Sequence, residues 1–268
     1  MSIAVKLKTL ISERLEGTRV YVPLRTMYQI VANRRFLHDR VAQRNFYSRF
    51  LGPGSLVFDI GANYGEYSRM FVNLGARVVA IEPNPSCARI LARGRNGRLT
   101  VHCEAVGERE GKTTLFIGAH SGHSTLSSQW MERASETNNH HRWKGTLTVP
   151  VTTLDRLRNE YGMPDFIKID VEGYEASVFR GMSFRPPALG FEFHACALDQ
   201  LRECLALPVF NAPSSFNLAL DDSWQFVWSH WRDKQAVLDY VSTLHPDRFG
   251  DVYARFDGHA SSPTSQTN

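Results

Sequence analysis

The chain has 268 residues, 43% hydrophobic and 22% charged, with a formal net charge of +4; that suffices for the core of one large domain with an extension. No apolar run approaches the roughly 18 residues of a membrane span, and Met1-Ser2-Ile3-Ala4-Val5-Lys6 has no apolar stretch with a small-residue cleavage site after it. Four cysteines (Cys87, Cys103, Cys196 and Cys204) show no Cys-x-x-Cys spacing, so the expectation is a cytoplasmic protein with reduced, packed thiols, and a zinc site from Cys196, Cys204 and His194 has the wrong ligand spacing.

Charge is uneven along the chain. Residues 1–49 hold ten Lys or Arg against three acids, a net +7, which leaves −3 for the remainder. Such a segment reads first as a solvated helical face, and second as a surface for an anionic glycan, a nucleic acid or peripheral membrane contact. Apolar residues fall at helical spacing at Leu7, Leu10, Ile11 and Leu15, at Met27, Ile30 and Val31, and at Phe46, Tyr47 and Phe50. Residues 1–51 are therefore expected to form an N-terminal helical cap beside the substrate opening, with Pro23 separating two helices. Gly52-Pro53-Gly54 marks the boundary to a second unit over 52–257, and the small polar residues of 258–268 predict a disordered tail.

The informative stretch begins at Leu56. Leu56-Val57-Phe58-Asp59-Ile60 reads as a strand buried on both faces, Gly61 and Gly65 break the pattern, and Tyr67, Met70, Phe71 and Leu74 resume at helical spacing. A Gly-x-Gly-x-x-Gly fingerprint is absent, and Asp59 before the turn opposes a pyrophosphate but suits a cationic or amino-bearing ligand. The next strand, residues 77–82, ends in Glu82, an acid placed to accept hydrogen bonds from both hydroxyls of a ribose. An acid at each strand tip with a tight glycine turn between them describes a pocket for S-adenosylmethionine. The candidate cofactor residues are Asp59, Gly61, Asn63, Gly65, Tyr67, Glu82, Pro83 and Asn84, with Asp170 further along the chain.

Beyond it, strands and helices alternate as in a parallel α/β sheet. A helix is expected over 86–93 and a third strand over 99–103, followed by Glu104 and Ala105 beside the adenine. Residues 112–117 read as an extra strand. Residues 118–146, rich in Ser, Gly, His and Asn, are irregular and expected to be a lid or binding loop. Another strand (147–152) and a helix (154–161) lead to Asp165-Phe166-Ile167-Lys168-Ile169-Asp170-Val171-Glu172-Gly173-Tyr174-Glu175. Here a strand ends in a carboxylate cluster, and Lys168 shares a strand face with Asp170, so it is expected to pair with Asp170, Glu172 or another nearby carboxylate. A fifth strand over 189–194 carries Glu192 and His194 at its tip. In the final third, strands are expected over 208–220 and 224–228, a helix over 231–244 and an edge strand over 252–256. Trp224, Trp228 and Trp231 suit core packing first and sugar stacking second.

These pieces together resemble the FkbM family of S-adenosylmethionine-dependent methyltransferases. The matching residues are Phe58-Asp59-Ile60-Gly61-Ala62-Asn63-Tyr64-Gly65, Ala80-Ile81-Glu82-Pro83-Asn84-Pro85, Leu154-Asp155-Arg156-Leu157, then Phe166 to Glu175, and Phe191-Glu192-Phe193-His194. Ser124-Thr125-Leu126 resembles the family's Ser-rich stretch before the lid. The resemblance spans about residues 52–195 and leaves the first 50 uncovered. It implies a Rossmann-like fold with a mostly parallel seven-stranded sheet, one antiparallel edge strand and helices on both faces. It also implies O-methylation of hydroxyls on sugars, polysaccharide units or polyketide natural products, with S-adenosylhomocysteine as the product.

In that chemistry the enzyme aligns an acceptor oxygen with an activated methyl carbon and receives the hydroxyl proton. Asp170 is the first candidate for base or acceptor orienter and His194 the second; Glu172 and Glu192 position the hydroxyl or the cofactor's ammonium, and Lys168 completes the catalytic set. The clustered acids could instead hold a divalent cation, but no ligand spacing compels one, and no metal is predicted. RNA methylation along the basic N-terminal segment is one alternative, without an evident aromatic-basic recognition motif; a catalytically silent cofactor-binding domain is another.

Overall fold

The structure, a computed structural model, describes residues 18, 20–32, 36–93, 97–118, 124–137, 143–211 and 214–257. The expected helix at Leu7 to Leu15, residues 119–123 and 138–142 of the expected lid and the 258–268 tail lie outside these residues.

Two helices come first, α1 (Tyr21–Ala32) and α2 (Phe36–Tyr47). Pro23 is the residue expected to divide α1 from an earlier helix, which lies outside the described residues. It sits in the first turn of α1, where its missing N–H has no helical partner to lose. Met27, Ile30 and Val31 face solvent, at 58%, 45% and 80% exposure, so their helical spacing marks no core face. By contrast, Phe46 and Tyr47 at the end of α2 are fully buried and share one hydrophobic cluster with Val57, Phe71, Phe166 and Tyr253 of the sheet unit. The end of α2 is thus built into the sheet's own core.

The sheet contains β1 (Leu56–Ile60), β2 (Arg77–Ile81), β3 (Leu99–His102), β7 (Phe166–Ile169), β8 (Ala188–His194), β9 (Ser214–Leu220) and β10 (Phe249–Phe256) in the order β3-β2-β1-β7-β8-β10-β9. All are parallel except β10, which runs antiparallel to both β8 and β9. The antiparallel strand therefore lies one position in from the rim, with β9 outside it. Central β1 is buried at all five positions, as its apolar run requires between two parallel neighbours and two covered faces. A separate three-stranded sheet joins β4 (Ala105–Val106), β6 (Trp143–Thr152) and β5 (Gly111–Gly118) in the order β4-β6-β5.

The remaining helices are α3 (Glu66–Asn73), α4 (Pro85–Leu91), α5 (Ser128–Thr137), α6 (Leu154–Tyr161), α7 (Glu175–Arg180), α8 (Leu198–Ala206) and α9 (Lys234–Ser242). Side chains cap several of them: Asn84 accepts from Ser86 N, Thr153 from Arg156 N and Asp233 from Ala236 N, contacts worth about 1 kcal/mol each. The Asp233 cap explains why the last helix starts at Lys234, three residues later than its apolar pattern predicts. Among the described residues of 118–146, where an irregular loop was expected, 128–137 form α5 and 143–146 are the first four residues of β6. Residues 208–211 form a 3-10 turn, so β9 starts only at Ser214. No strand forms over 224–228: Asp221, Asp222 and Trp224 all take positive φ (46°, 55° and 53°), which breaks an extended run.

Candidate active site

The first half of the site is a cleft along the carboxyl ends of β1, β2 and β7, where an open α/β sheet binds its ligands. Its floor is the turn after β1. Gly61 takes φ +81°, and a Cβ there would lie 1.8 Å from the Asp170 carbonyl oxygen, so this position admits only glycine. Gly65, at φ +80°, starts α3 and would strike Leu91 with any side chain. Between them Asn63 also takes positive φ (49°), donates its backbone N–H to Glu82 Oε2 at 2.7 Å, and keeps its buried Oδ1 without a partner.

Glu82 is held by two backbone donors, Asn63 N on one oxygen and Asn84 N on the other at 2.8 Å. Burial nonetheless pushes its carboxyl up to about 7, against the lowering effect of those two bonds. Pro83, Tyr67, Glu104 and Ala105 line the same cleft. Two expected contacts are placed elsewhere. Asp59 is 1% exposed beneath the turn, where its carboxylate accepts from the Ser68 hydroxyl; burial raises it to about 6. The Asn84 side chain is spent on capping α4. Ser124 does line the cleft, as does Arg25 of α1, which no motif signalled.

The second half is a chamber adjoining the cleft. Glu66, Tyr67, Asp170 and Glu192 stand on the walls of both. Beyond that shared wall the chamber is built from α1 and α2 (Gln29, Asp39, Arg40, Gln43) and from the C-terminal third (Asp222, Trp224, Asp251). Six carboxylates line it against one guanidinium and one ammonium.

Beneath the chamber lies Lys168, 1% exposed. Its Nζ donates to Asp251 Oδ1 at 3.0 Å and Asp170 Oδ2 at 3.5 Å. Burial disfavours its charge, but Asp170 and Asp251 more than offset that and hold the ammonium well above its usual range. Tyr253 donates to Asp251 Oδ2 at 3.1 Å, and its hydroxyl lies 3.1 Å from that of Tyr47 at the end of α2. Lys168 thus pairs with Asp170, as expected, and with Asp251, which the sequence did not single out. The available signal was a charge inside an otherwise alternating strand, the same one that marked Lys168.

Asp170 itself is raised to about 6, because burial outweighs Lys168. Past it, Glu172 takes φ +53° and Thr125 donates to its carbonyl at 2.7 Å. Burial first, then Glu192 and Asp170, push the Glu172 carboxyl well above the usual range. His194 Nε2 lies 3.3 Å from Glu192 Oε2 and 4.0 Å from Glu172 Oε2. Burial works against a charge on this imidazole, but Glu192 more than offsets it, so its pKa is raised. Trp130 of α5 is buried over the His194 ring with centroids 4.5 Å apart, and Arg133 of α5 pairs with Asp199 of α8 at 2.8 Å. The stretch expected to be a lid therefore packs onto the cluster. All five candidates for the chemistry (Lys168, Asp170, Glu172, Glu192 and His194) stand at the adjoining tips of β7 and β8.

The donor set fits S-adenosylmethionine. A paired acceptor at Glu82 suits a ribose diol, and the cleft is lined by six carboxylates against the single guanidinium of Arg25, which suits a ligand carrying positive charge.

A family model described as the methyltransferase FkbM domain matches residues 59–195. None of the curated proteins compared matches the sequence. Among solved structures, the precorrin-6y C5,15-methyltransferase of Geobacter metallireducens GS-15 aligns over 81% of this chain and 87% of its own at 11% identity, with a TM-score of 0.42. An O-methyltransferase from Bacillus cereus in complex with SAH aligns over 82% and 81% at 11% identity and a TM-score of 0.42. A putative rRNA-methylase from Clostridium thermocellum aligns over 80% and 93% at 6% identity and a TM-score of 0.39.

Proposed function

The chain belongs to the FkbM family of S-adenosylmethionine-dependent methyltransferases, and we propose that it methylates a hydroxyl oxygen on a sugar, glycan or related natural-product acceptor. The observation that carries this reading is the chamber beside the cofactor cleft, lined by carboxylates and Trp224 and joined to the cleft at Asp170 and Glu192. Carboxylates accept hydrogen bonds from hydroxyls, and an indole covers the apolar face of a sugar ring. Six carboxylates also repel a phosphodiester backbone, which argues against RNA as the acceptor.

When bound, S-adenosylmethionine supplies a methyl carbon already activated by its positive sulfur. Glu82 would hold the ribose, and the Gly61–Gly65 turn would bring backbone close to the cofactor. Asp170 sits on the wall common to both compartments. With Oδ2 turned to Lys168, its other oxygen would be placed to receive the acceptor's hydroxyl proton. Glu192 orients the attacking hydroxyl from the neighbouring strand. Alignment of this kind lowers a barrier by about 7 to 11 kcal/mol.

The test uses radiolabelled S-adenosylmethionine and a cell extract fractionated into glycan, small-molecule and RNA pools. Label should enter the glycan or small-molecule pool with the unmutated protein, and at least tenfold less with Asp170→Asn at unchanged S-adenosylhomocysteine affinity. Label in RNA would overturn the acceptor assignment. Full transfer by Asp170→Asn would remove Asp170 as the base.

A further inference from the structure

Glu192 and His194 stand two residues apart on β8 and so project from one face of the strand. Glu172 approaches them from the turn after β7. One ligand atom from each of the three lies within 4.8 Å of the others, and the carboxylates are 17% and 19% exposed, the imidazole 26%. Glu192 Oε2 and His194 Nε2 are buried atoms that face each other with no hydrogen bond to either.

Their separation is informative. A charge-assisted hydrogen bond between an imidazolium and a carboxylate closes to about 2.7–2.9 Å, whereas this pair stays at 3.3 Å. Two ligands each about 2.1 Å from a common ion are separated by about 3.0 Å in octahedral and 3.4 Å in tetrahedral geometry. Glu172 Oε2 lies 4.0 Å from the same nitrogen, and a ligand atom of Glu172 lies within 4.8 Å of those of the other two, so closing the triangle requires the Glu172 side chain to move inward. No Lys or Arg forms an ion pair with Glu172 or Glu192 among the described residues, because Lys168 is committed to Asp170 and Asp251. Buried carboxylates without such a partner are neutralised by protons or by a cation.

We propose that Glu172, Glu192 and His194 form a binding site for one divalent first-row transition ion of the manganese-to-zinc class. A mixed set of two carboxylates and an imidazole selects that class over magnesium or calcium, which take oxygen ligands. Three protein ligands leave coordination positions open. Glu192 belongs to the walls of both cleft and chamber, so those positions face the junction where an acceptor hydroxyl would arrive. Trp130 covers the imidazole, and the Thr125 bond to the Glu172 carbonyl pins the loop that carries the third ligand. The proposal does not rest on the acceptor assigned above, because ion binding is read directly.

The experiment strips the full-length protein with a chelator, titrates it with Co2+, then Mn2+ and Zn2+, and follows uptake by calorimetry, elemental analysis and the visible d–d absorption of bound cobalt. One equivalent should bind, with a cobalt spectrum distinct from the aqueous ion. His194→Ala and Glu192→Gln should each weaken uptake at least tenfold while thermal unfolding remains cooperative. His194→Ala should also bind S-adenosylhomocysteine normally, which separates loss of the ion from loss of the fold. Absence of saturable uptake by the unmutated protein would overturn the site, as would undiminished uptake by His194→Ala.

Discussion

The cofactor cleft and the acceptor chamber adjoin along one wall, yet they are assembled in opposite ways. The cleft's key contacts come from contiguous segments, the turn at 61–65 and the tip at 82–84, and depend on backbone geometry: two glycines and Asn63 at positive φ, with two main-chain amides on one carboxylate. The chamber draws single side chains from α1, α2, β7, β8, β10 and the 221–224 turn. Lys168, buried beneath it, joins the tip of β7 to β10, and the Tyr47–Tyr253–Asp251 chain joins α2 to β10. A binding site made of local backbone turns is specified wherever the turn forms. One made of distant side chains exists only once the whole sheet has closed.

Substitutions that touch one half or the shared base sharpen this contrast. The largest effect is expected at the base. Lys168→Met leaves Asp170 and Asp251 buried without their counter-charge and should cost about 3–5 kcal/mol in thermal unfolding. The double change Lys168→Met/Asp251→Leu should be less destabilised than the two single costs added together. If Lys168→Met unfolds like the parent, the buried pair does not hold the halves together.

An intermediate effect belongs to the cleft alone. Glu82→Gln should weaken S-adenosylhomocysteine binding by about ten- to a hundredfold, the equivalent of about 1.5–3 kcal/mol for hydrogen bonds to a charged group. Its pH dependence is a finer check. Burial raises Glu82 from 4.5 to about 7, with the Asp59 and Asp170 carboxylates adding to the rise. The folded protein therefore binds more protons than the unfolded chain between these values, and this group's contribution to stability falls as pH rises through them. Accepting ribose hydroxyls favours the ionised form, so cofactor affinity should rise as pH passes about 7 and then level off. Calorimetry from below to above that pH should show the slope in the parent and a flat profile in Glu82→Gln. A slope retained by the variant would assign the titration to another group.

The smallest effect is expected in the chamber. Trp224→Ala removes a ring that lines it and also packs on Tyr47 and Tyr67. It should lower kcat/KM for the acceptor about three- to tenfold, corresponding to about 0.5–1.5 kcal/mol of ring contact, while S-adenosylhomocysteine affinity changes less than twofold. Equal losses in both measurements would mean that the two compartments are not separable.

The sequence by itself determined the central strand, the glycine turn, the acid at the tip of β2 (Glu82) and the carboxylate cluster at the tips of β7 and β8. Each is local: five consecutive buried residues, a backbone angle that favours glycine, or polar residues spaced two apart at a strand end. Tertiary structure alone decided the partners. Asp251 meets Lys168 across 83 residues of chain; Tyr47 reaches Tyr253 across 206; and Trp130, from a stretch whose composition reads as loop, closes over His194. It also reversed local expectations, burying Asp59 under the turn and turning Met27, Ile30 and Val31 to solvent. The physical reason is that periodicity states which residues can share a face, while burial and ion pairing depend on what the rest of the chain brings against that face.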